Sequence, residues 1–335
     1  MKRLICFLMA IVFSSGAVIA ELPQPLVHLS FDQTWENAGT AGPEGPSAPL
    51  DNGGFGPKFD AKGIIGYCLD TTSIVDPEDD SIWARLEYGS YDPENPTAIQ
   101  QALAGLKSYT ILFWYKFNDR GTFSGPIFMS RSQRADEVYW ADWAMYPVAG
   151  GNGLRILMNG FNNSGQGSGD MTWPSGIAYN KWMFMAATYN TDNFMLQLSW
   201  YQGLGNSSDD LYAKNAGDFG TPGEALEGIS GAPLSIGAWT FNYVIDEETE
   251  IEYETTGGFD GYIDEFRIYG STADGSGALT EEQILAVYEA DLLTPRCGDE
   301  NNPYPPGDLT GDCIVDGDDV AALASNWLAD NAPAE

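Results

Sequence analysis

Near the end of the chain, oxygen-bearing residues recur at intervals that suit a metal ion. Counted from Asp308 as position 1, side-chain oxygens fall at positions 1, 3, 5, 9 and 12, and position 7 offers its backbone carbonyl. These residues are Asp308, Thr310, Asp312, Ile314, Asp316 and Asp319. At this spacing one tight loop supplies the six or seven oxygen ligands that a hard divalent cation prefers. The pattern predicts a calcium site; the simpler alternative is an acidic turn without metal.

Two cysteines stand close to this loop. Cys297 and Cys313 bracket one Asn- and Pro-rich segment, and we expect them to form a disulfide if the chain is exported. Cys313 takes loop position 6, where glycine is usual, and a left-handed non-glycine residue costs about 1–2 kcal/mol. A short disulfide-closed loop offsets that by about 3 kcal/mol in the entropic account. Cys68 lies in an apolar run, which predicts a buried thiol.

The first twenty residues predict export. Met1, Lys2 and Arg3 precede an apolar stretch over residues 4–13, and Val18 and Ala20 form a small-residue cleavage pattern. This is the composition of a secretory signal peptide, and the stretch is too short for a membrane span. We therefore expect a secreted or cell-surface protein without membrane insertion. Its formal net charge of −33 disfavours nucleic acid as a partner.

Most of the remaining chain shows the pattern of a β protein. Segments rich in β-branched and aromatic residues recur between clusters of glycine, proline and asparagine. The segment 109–117 is apolar on both faces, as expected of a central strand. Many strands without interleaved helices predict two packed antiparallel sheets.

Two helices and a linker complete the expected organisation. Thr280 and Gln283 form a capping box at the start of a helix that runs to about Asp291. A proline-rich stretch follows, and a final helix is expected over residues 318–328. The predicted domains are a signal peptide (1–20), a β-sandwich (21–293), a linker (294–306) and the calcium loop with its helix (307–335).

Three segments resemble the LamG-type, concanavalin A-like jelly roll. They read SYTILFWYKF over residues 108–117, KWMFMAATYN over 181–190 and FDGYIDEFRIYG over 259–270. The resemblance covers about residues 21–292. It implies an extracellular recognition or adhesion module that binds glycans, or sometimes proteins. It also implies a second calcium site at Asp32 and Asp264; the alternative is a turn residue and a hydrogen-bonded strand residue.

The tail resembles one dockerin repeat, an EF-hand type of calcium loop. The helix with the sequence VAALASNWL and the aspartate at position 12 carry this resemblance. Dockerins have two such repeats, whereas this chain has one. The resemblance implies calcium as cofactor and a cohesin-like partner through which the tail tethers or assembles the protein.

The same jelly roll also hosts laminarinase-type glycoside hydrolases. Glu250, Glu252 and Glu254 alternate, so a strand would place three carboxylates on one face. A nucleophile and an acid carboxylate about 5 Å apart would suit a retaining mechanism. The alternative is a solvated acidic loop, and we expect a non-catalytic protein. Trp140, Trp143 and Trp173 lie at strand ends or in loops, where aromatic faces can meet sugar rings, although each also fits ordinary packing. The single histidine, His28, lies within a predicted strand.

Overall fold

A computed structural model of the chain describes most of the sandwich and part of the tail. The described residues are 22–46, 57–60, 63–72, 86–90, 94–118, 127–133, 139–147, 153–161, 168–172, 179–190, 197–205, 207–218, 233–238, 241–244, 251–254, 258–294, 304–310 and 315–328. Residues 1–20, which carry the predicted signal peptide, lie outside this set.

Along the described residues, strands far outnumber helices. The strands are β1 (Val27–Leu29), β2 (Lys58–Asp60), β3 (Cys68–Asp70), β4 (Leu86–Tyr88), β5 (Ser108–Phe117), β6 (Phe128–Gln133), β7 (Tyr139–Pro147), β8 (Gly153–Phe161), β9 (Ser168–Thr172), β10 (Met183–Asn190), β11 (Gln197–Gly203), β12 (Tyr212–Asp218), β13 (Leu234–Ile236), β14 (Phe241–Val244), β15 (Ile251–Glu254) and β16 (Gly261–Ser271). The helices are α1 (Ala98–Leu103), α2 (Glu281–Leu293) and α3 (Gly317–Leu328).

The strands pair in two main sheets and one hairpin. In the part of the chain that the structure describes, the larger sheet has eight strands in the order β12-β11-β10-β5-β16-β3-β2, with β1 also paired to β16. The second sheet has six, ordered β4-β13-β6-β7-β8-β9, and β14 pairs with β15 alone. Neighbouring strands run antiparallel, for example β5 with β10 and β16. This confirms the all-β, antiparallel sandwich expected from the sequence.

The core lies between the two sheets and is rich in aromatic residues. Alternate residues of β5, among them Phe113 and Tyr115, meet Phe128 and Met145 of the second sheet in one buried cluster. Phe113 lies edge-on to Phe128, with ring centroids 5.6 Å apart. Both faces of β5 are buried, because the other alternate residues face a second cluster on the outer side of the larger sheet.

Helix α2 covers part of the outer face. Thr280 and Gln283 form the predicted capping box. Tyr288 stacks on Trp114 with ring centroids 5.3 Å apart, and its hydroxyl accepts the N–H of Gly205 at 2.8 Å. A Cβ at Gly203 would overlap the Tyr288 ring, so glycine at this position lets the helix lie close to β11. The apolar stripe read from the sequence therefore closes the outer cluster.

The two remaining helices differ in how they are covered. α1 begins at its own capping box, Thr97 with Gln100, and buries Ile99 and Leu103. In α3, Val320 is 65% exposed and Leu323 is 50% exposed. No helix in the described ranges is long and apolar enough to cross a lipid bilayer.

Candidate functional site

A bulge in β16 turns neighbouring polar side chains toward the same outer face of the larger sheet. β16 pairs with β5 at Asp264 opposite Trp114 and again at Arg267 opposite Leu112, so β16 holds one residue more than its partner. Glu265, with φ at 51°, adopts the left-handed conformation within this bulge. A bulge re-aims side chains that would otherwise alternate between the faces.

Asp264 accepts hydrogen bonds from the loop that precedes β3. Its Oδ2 accepts hydrogen bonds from the backbone N–H groups of Ile64 at 2.7 Å and Ile65 at 3.1 Å. Its Oδ1 accepts the N–H of Glu265 at 2.8 Å. The side chain is fully buried, and this burial raises the pKa of Asp264 well above its usual value, with a further contribution from the charge of Glu265.

Asp32 holds the same loop at its other end. Its Oδ1 accepts the N–H of Tyr67 at 2.8 Å. Gly66, with φ at 56°, lies so close that a Cβ there would overlap this oxygen. Burial of part of the carboxyl group raises the pKa of Asp32.

The structure thus brings both residues of the predicted second calcium site to one loop. Asp32 and Asp264 each accept backbone N–H groups there, which is the hydrogen-bonded alternative that the sequence left open. Across the described ranges, no group of three or more His, Cys, Asp or Glu side chains is arranged to hold a metal ion. The second calcium site stays a prediction.

Next to Asp264, four residues form an outer-face ion cluster: His28, Glu265, Arg267 and Asp291. Arg267 pairs with Asp291 through two bonds, at 2.8 and 2.9 Å, and also with Glu265. The Nε2 of His28 lies 2.7 Å from Glu265, and Trp114 Nε1 donates to Asp291 at 2.9 Å. Burial opposes the charge on the guanidinium, yet Asp291 and Glu265 more than offset it, so the pKa of Arg267 is raised. The cluster links β1 and β16 to α2, and Trp114 of β5 joins it through Asp291.

In the tail, the described loop residues converge on Asp319. Its Oδ1 accepts the N–H groups of Leu309 at 2.7 Å and Thr310 at 3.0 Å, and its Oδ2 accepts the N–H of Asp316 at 2.8 Å. The Oγ1 of Thr310 lies 3.2 Å from Asp319 Oδ1 and 3.3 Å from Asp308 Oδ1. These hydrogen bonds, that from Asp316 first, lower the pKa of Asp319. Loop positions 1, 3 and 12 therefore bring side-chain oxygens together, whereas position 9 contacts Asp319 through its backbone N–H.

The structure describes only some of the other predicted site residues. Asp312, Ile314, Trp173 and the proposed disulfide partners Cys297 and Cys313 lie outside the described residues. Trp143 lies on β7 opposite Ser130 and Met158, and Trp140 lies opposite Ser132. Glu252 and Glu254 lie on β15, and Glu250 is outside the described ranges. Cys68 is a buried free thiol, as expected, and its burial raises the pKa of that thiol.

One group of surface residues was missed at the sequence level. Trp182 is only half-buried and lies beside Lys116 and Tyr262. The available signal was alternation: Met183 and Met185 face the inter-sheet core, so Trp182 belongs to the other face. Lys116 is likewise the one charged residue of β5.

These observations define an antiparallel two-sheet β-sandwich whose larger sheet carries an ion cluster on its outer face. No protein-family model matches the chain, and no curated protein matches it. The solved structures that resemble it include a native heptameric SAP-like pentraxin from Limulus polyphemus, at 17% identity over 58% of this chain and 75% of that chain, with a TM-score of 0.34.

Two further solved structures are similar to the chain. A Trypanosoma rangeli sialidase in complex with sialic acid matches at 8% identity over 82% of this chain and 34% of that chain, with a TM-score of 0.44. The LG1-3 region of the laminin alpha2 chain matches at 10% identity over 52% of this chain and 27% of that chain, with a TM-score of 0.33. The match thus spans about a third of the sialidase and about a quarter of the laminin region.

Proposed function

We propose that the chain is a secreted, non-catalytic recognition protein that binds glycans through a LamG-like jelly roll. Its tail would be a calcium-ordered, dockerin-like module for tethering or assembly, with a cohesin-like protein as a possible partner. A protein ligand for the sandwich is the secondary possibility. The support comes from the arrangement of the resembling segments and from the position of the acidic strand β15.

The three segments that resemble the LamG family lie side by side in the larger sheet. β5, β10 and β16 contain them, and β5 pairs with both of the other two. Residues 108–117 and 181–190 pair from Ser108 with Asn190 to Tyr115 with Met183. Segments whose starts lie 73–151 residues apart in sequence and that form one central sheet are consistent with a shared fold core. This supports the LamG-like part of the proposal.

The position of β15 is the main observation that favours a recognition function over glycoside hydrolysis. In the described residues β15 pairs with β14 alone, in a two-stranded hairpin outside both main sheets. Glu252 lies opposite Tyr243, and Glu254 lies opposite Phe241. A retaining glycosidase needs its two carboxylates held rigidly about 5 Å apart. Among the described residues β15 pairs on one side only and belongs to neither main sheet, although β14 lies beside β6, so β15 is a poor support for such a pair.

The proposal predicts glycan binding by the intact mature protein. On an array of uncharged and acidic polysaccharides and oligosaccharides, we expect the wild-type protein to retain at least one glycan class. Serum albumin, which is also acidic, serves as the control for non-specific adsorption. Retention of immobilised proteins but of no glycan would favour the protein-ligand alternative and contradict glycan recognition.

The tail site is proposed from the spacing of its ligands in the sequence, and the distances around Thr310 support it. Oxygen atoms that share one calcium ion at 2.3–2.6 Å lie about 3 Å from one another, and the Thr310 hydroxyl lies 3.2–3.3 Å from the nearest oxygens of Asp319 and Asp308. Asp308, Thr310, Asp312, Asp316 and Asp319 would hold the ion with their side chains, and Ile314 with its carbonyl. The ion would neutralise carboxylates that otherwise repel each other and would order the loop.

We expect calorimetry on the full-length protein to detect calcium uptake that needs this loop. Replacing both Asp308 and Asp319 by alanine should remove one bound calcium per chain, because it deletes the first and last ligands of the loop. Asp318→Asn is the matched control, since Asp318 is an exposed neighbour at a position without a ligand role. Equal calcium stoichiometry in the wild type and the double variant would contradict the proposed site.

A further inference from the structure

Three residues on the outer face of the larger sheet form a partly exposed aromatic platform: Lys116, Trp182 and Tyr262. The Nζ of Lys116 lies 4.3 Å from the centroid of the Tyr262 ring and 5.3 Å from that of Trp182. The two rings are 6.4 Å apart and tilted by 59°. All three side chains are half-buried, so each presents part of its surface to solvent.

The platform is rigid because central strands support it. Lys116 pairs directly with Tyr262 in the ladder between β5 and β16, and Trp182 immediately precedes β10. The next residues, Ile263 and Met183, belong to the inter-sheet core. Little conformational entropy would therefore be lost when a ligand binds to these side chains.

Polar groups of both signs surround the aromatic rings. Tyr262 lies opposite Asp70 in the ladder between β3 and β16. In the ladder between β2 and β3, Asp60 lies opposite Cys68, two residues before Asp70 and therefore on the same face of the sheet. Burial raises the pKa of the Tyr262 hydroxyl, and the charges of Asp70 and Asp60 raise it further. Lys116 can donate hydrogen bonds, and the two aspartates can accept them.

This combination suits a sugar ring better than an apolar or a charged ligand. A pyranose has one face of C–H groups, which packs on an aromatic ring, and a rim of hydroxyl groups that need donors and acceptors. Tyrosine and tryptophan offer a large apolar face together with a polar edge. Locally, Lys116 and Lys58, which lies opposite Asp70 in the ladder between β2 and β3, balance Asp60 and Asp70. The chain as a whole has a formal net charge of −33, so long-range repulsion disfavours acidic sugars.

We propose that the platform of Lys116, Trp182 and Tyr262 binds an uncharged glycan, with a pyranose ring packed against the parts of Tyr262 and Trp182 that Lys116 leaves uncovered and its hydroxyls bonded to Lys116 and Asp70. The inference rests on the proposed function and locates it: the sugar contacts the outer face of the larger sheet. The predicted ligand tryptophans on β7 belong to the other sheet.

The test is titration calorimetry of the full-length protein with the uncharged glycan that the wild type retains. Trp182→Ala and Tyr262→Ala should each weaken binding about tenfold or more, as expected for aromatic residues at the centre of a contact. Lys116→Glu should weaken it to a similar degree, and Tyr262→Phe should retain most of the affinity. Tyr212→Ala is the matched control, because Tyr212 is 48% exposed but lies on the edge strand β12.

Melting temperatures identify any variant that fails to fold. If the ring variants do not fold, Lys116→Glu still tests the proposal, because it alters the surface without removing a ring. Binding unchanged in Lys116→Glu and in the folded ring variants would overturn the platform and leave glycan recognition standing. A wild-type protein that retains only acidic glycans would overturn the platform as well. A wild type that binds no glycan would overturn both proposals.

Discussion

Replacing Arg267 by methionine is expected to lower the free energy of unfolding by about 3–5 kcal/mol, because it leaves buried carboxylates without their partner. The side chains of Glu265 and Asp291 are 4% and 5% exposed, and both pair with Arg267. Arg267→Lys should lower the free energy of unfolding by a smaller amount, since lysine keeps the charge but cannot form the two-bond contact with Asp291. Chemical denaturation at pH 7 measures the free energy of unfolding of the wild type and of both variants.

Two further variants separate lost charge pairing from lost packing. Lys181→Met removes an exposed cation and should change stability by less than about 0.5 kcal/mol. Combining Arg267→Met with Glu265→Gln and Asp291→Asn removes the stranded charges, and we expect this triple variant to be more stable than Arg267→Met alone. If Arg267→Met proves as stable as Lys181→Met, the ion cluster does not hold α2 to the sheet.

Replacing Asp264 by alanine is expected to cost about 3 kcal/mol or more, because three backbone N–H groups lose their acceptor in a buried site. Thermal and chemical denaturation measure the loss. Asp264→Asn keeps one carbonyl acceptor for Ile64 and Ile65 and should cost less than the alanine variant. A loss below 1 kcal/mol in Asp264→Ala would mean that the loop before β3 does not depend on this carboxyl group.

The pH dependence tests the same residue independently. The pKa of Asp264 is raised by burial above the reference value of 3.8, so the folded state keeps this proton to higher pH than the unfolded state does. Its contribution to stability is complete below pH 3.8 and declines as the pH rises toward the folded-state pKa. Asp264→Asn should reduce this decline, although Asp32, whose pKa is also raised, contributes a slope of the same sign. The pKa of Asp274 is lowered, so its contribution to stability increases with pH. Asp274→Asn is therefore the control, because it should change the pH dependence in the opposite direction.

Much of the fold could be predicted from local patterns. Strand β5 is apolar on both faces because it lies between the core and the outer cluster, and its composition shows this directly. The capping box of Thr280 with Gln283 marks the beginning of α2 correctly. α1 was missed, although Thr97 and Gln100 form the same motif, because six residues give too short an apolar period to recognise.

The ion cluster could not be predicted, because its parts are distant in sequence. Nothing in the local pattern pairs Arg267 with Asp291, which is 24 residues away and on a helix. The bulge at Glu265 also breaks the alternation by which a strand residue is assigned to a face. By contrast, the predicted calcium loop lies within twelve consecutive residues, so its spacing alone predicts that Asp308, Thr310 and Asp319 come together.

The most direct test of the account is to measure glycan retention and glycan cleavage in the same reaction. Full-length protein is incubated with the polysaccharide that it retains, and bound protein and new reducing ends are both quantified over time, with the Glu252→Gln/Glu254→Gln variant in parallel. We predict saturable binding, no reducing ends above background, and identical behaviour of the variant. Release of reducing ends that the variant abolishes would contradict the account, because β15 would then be a catalytic strand.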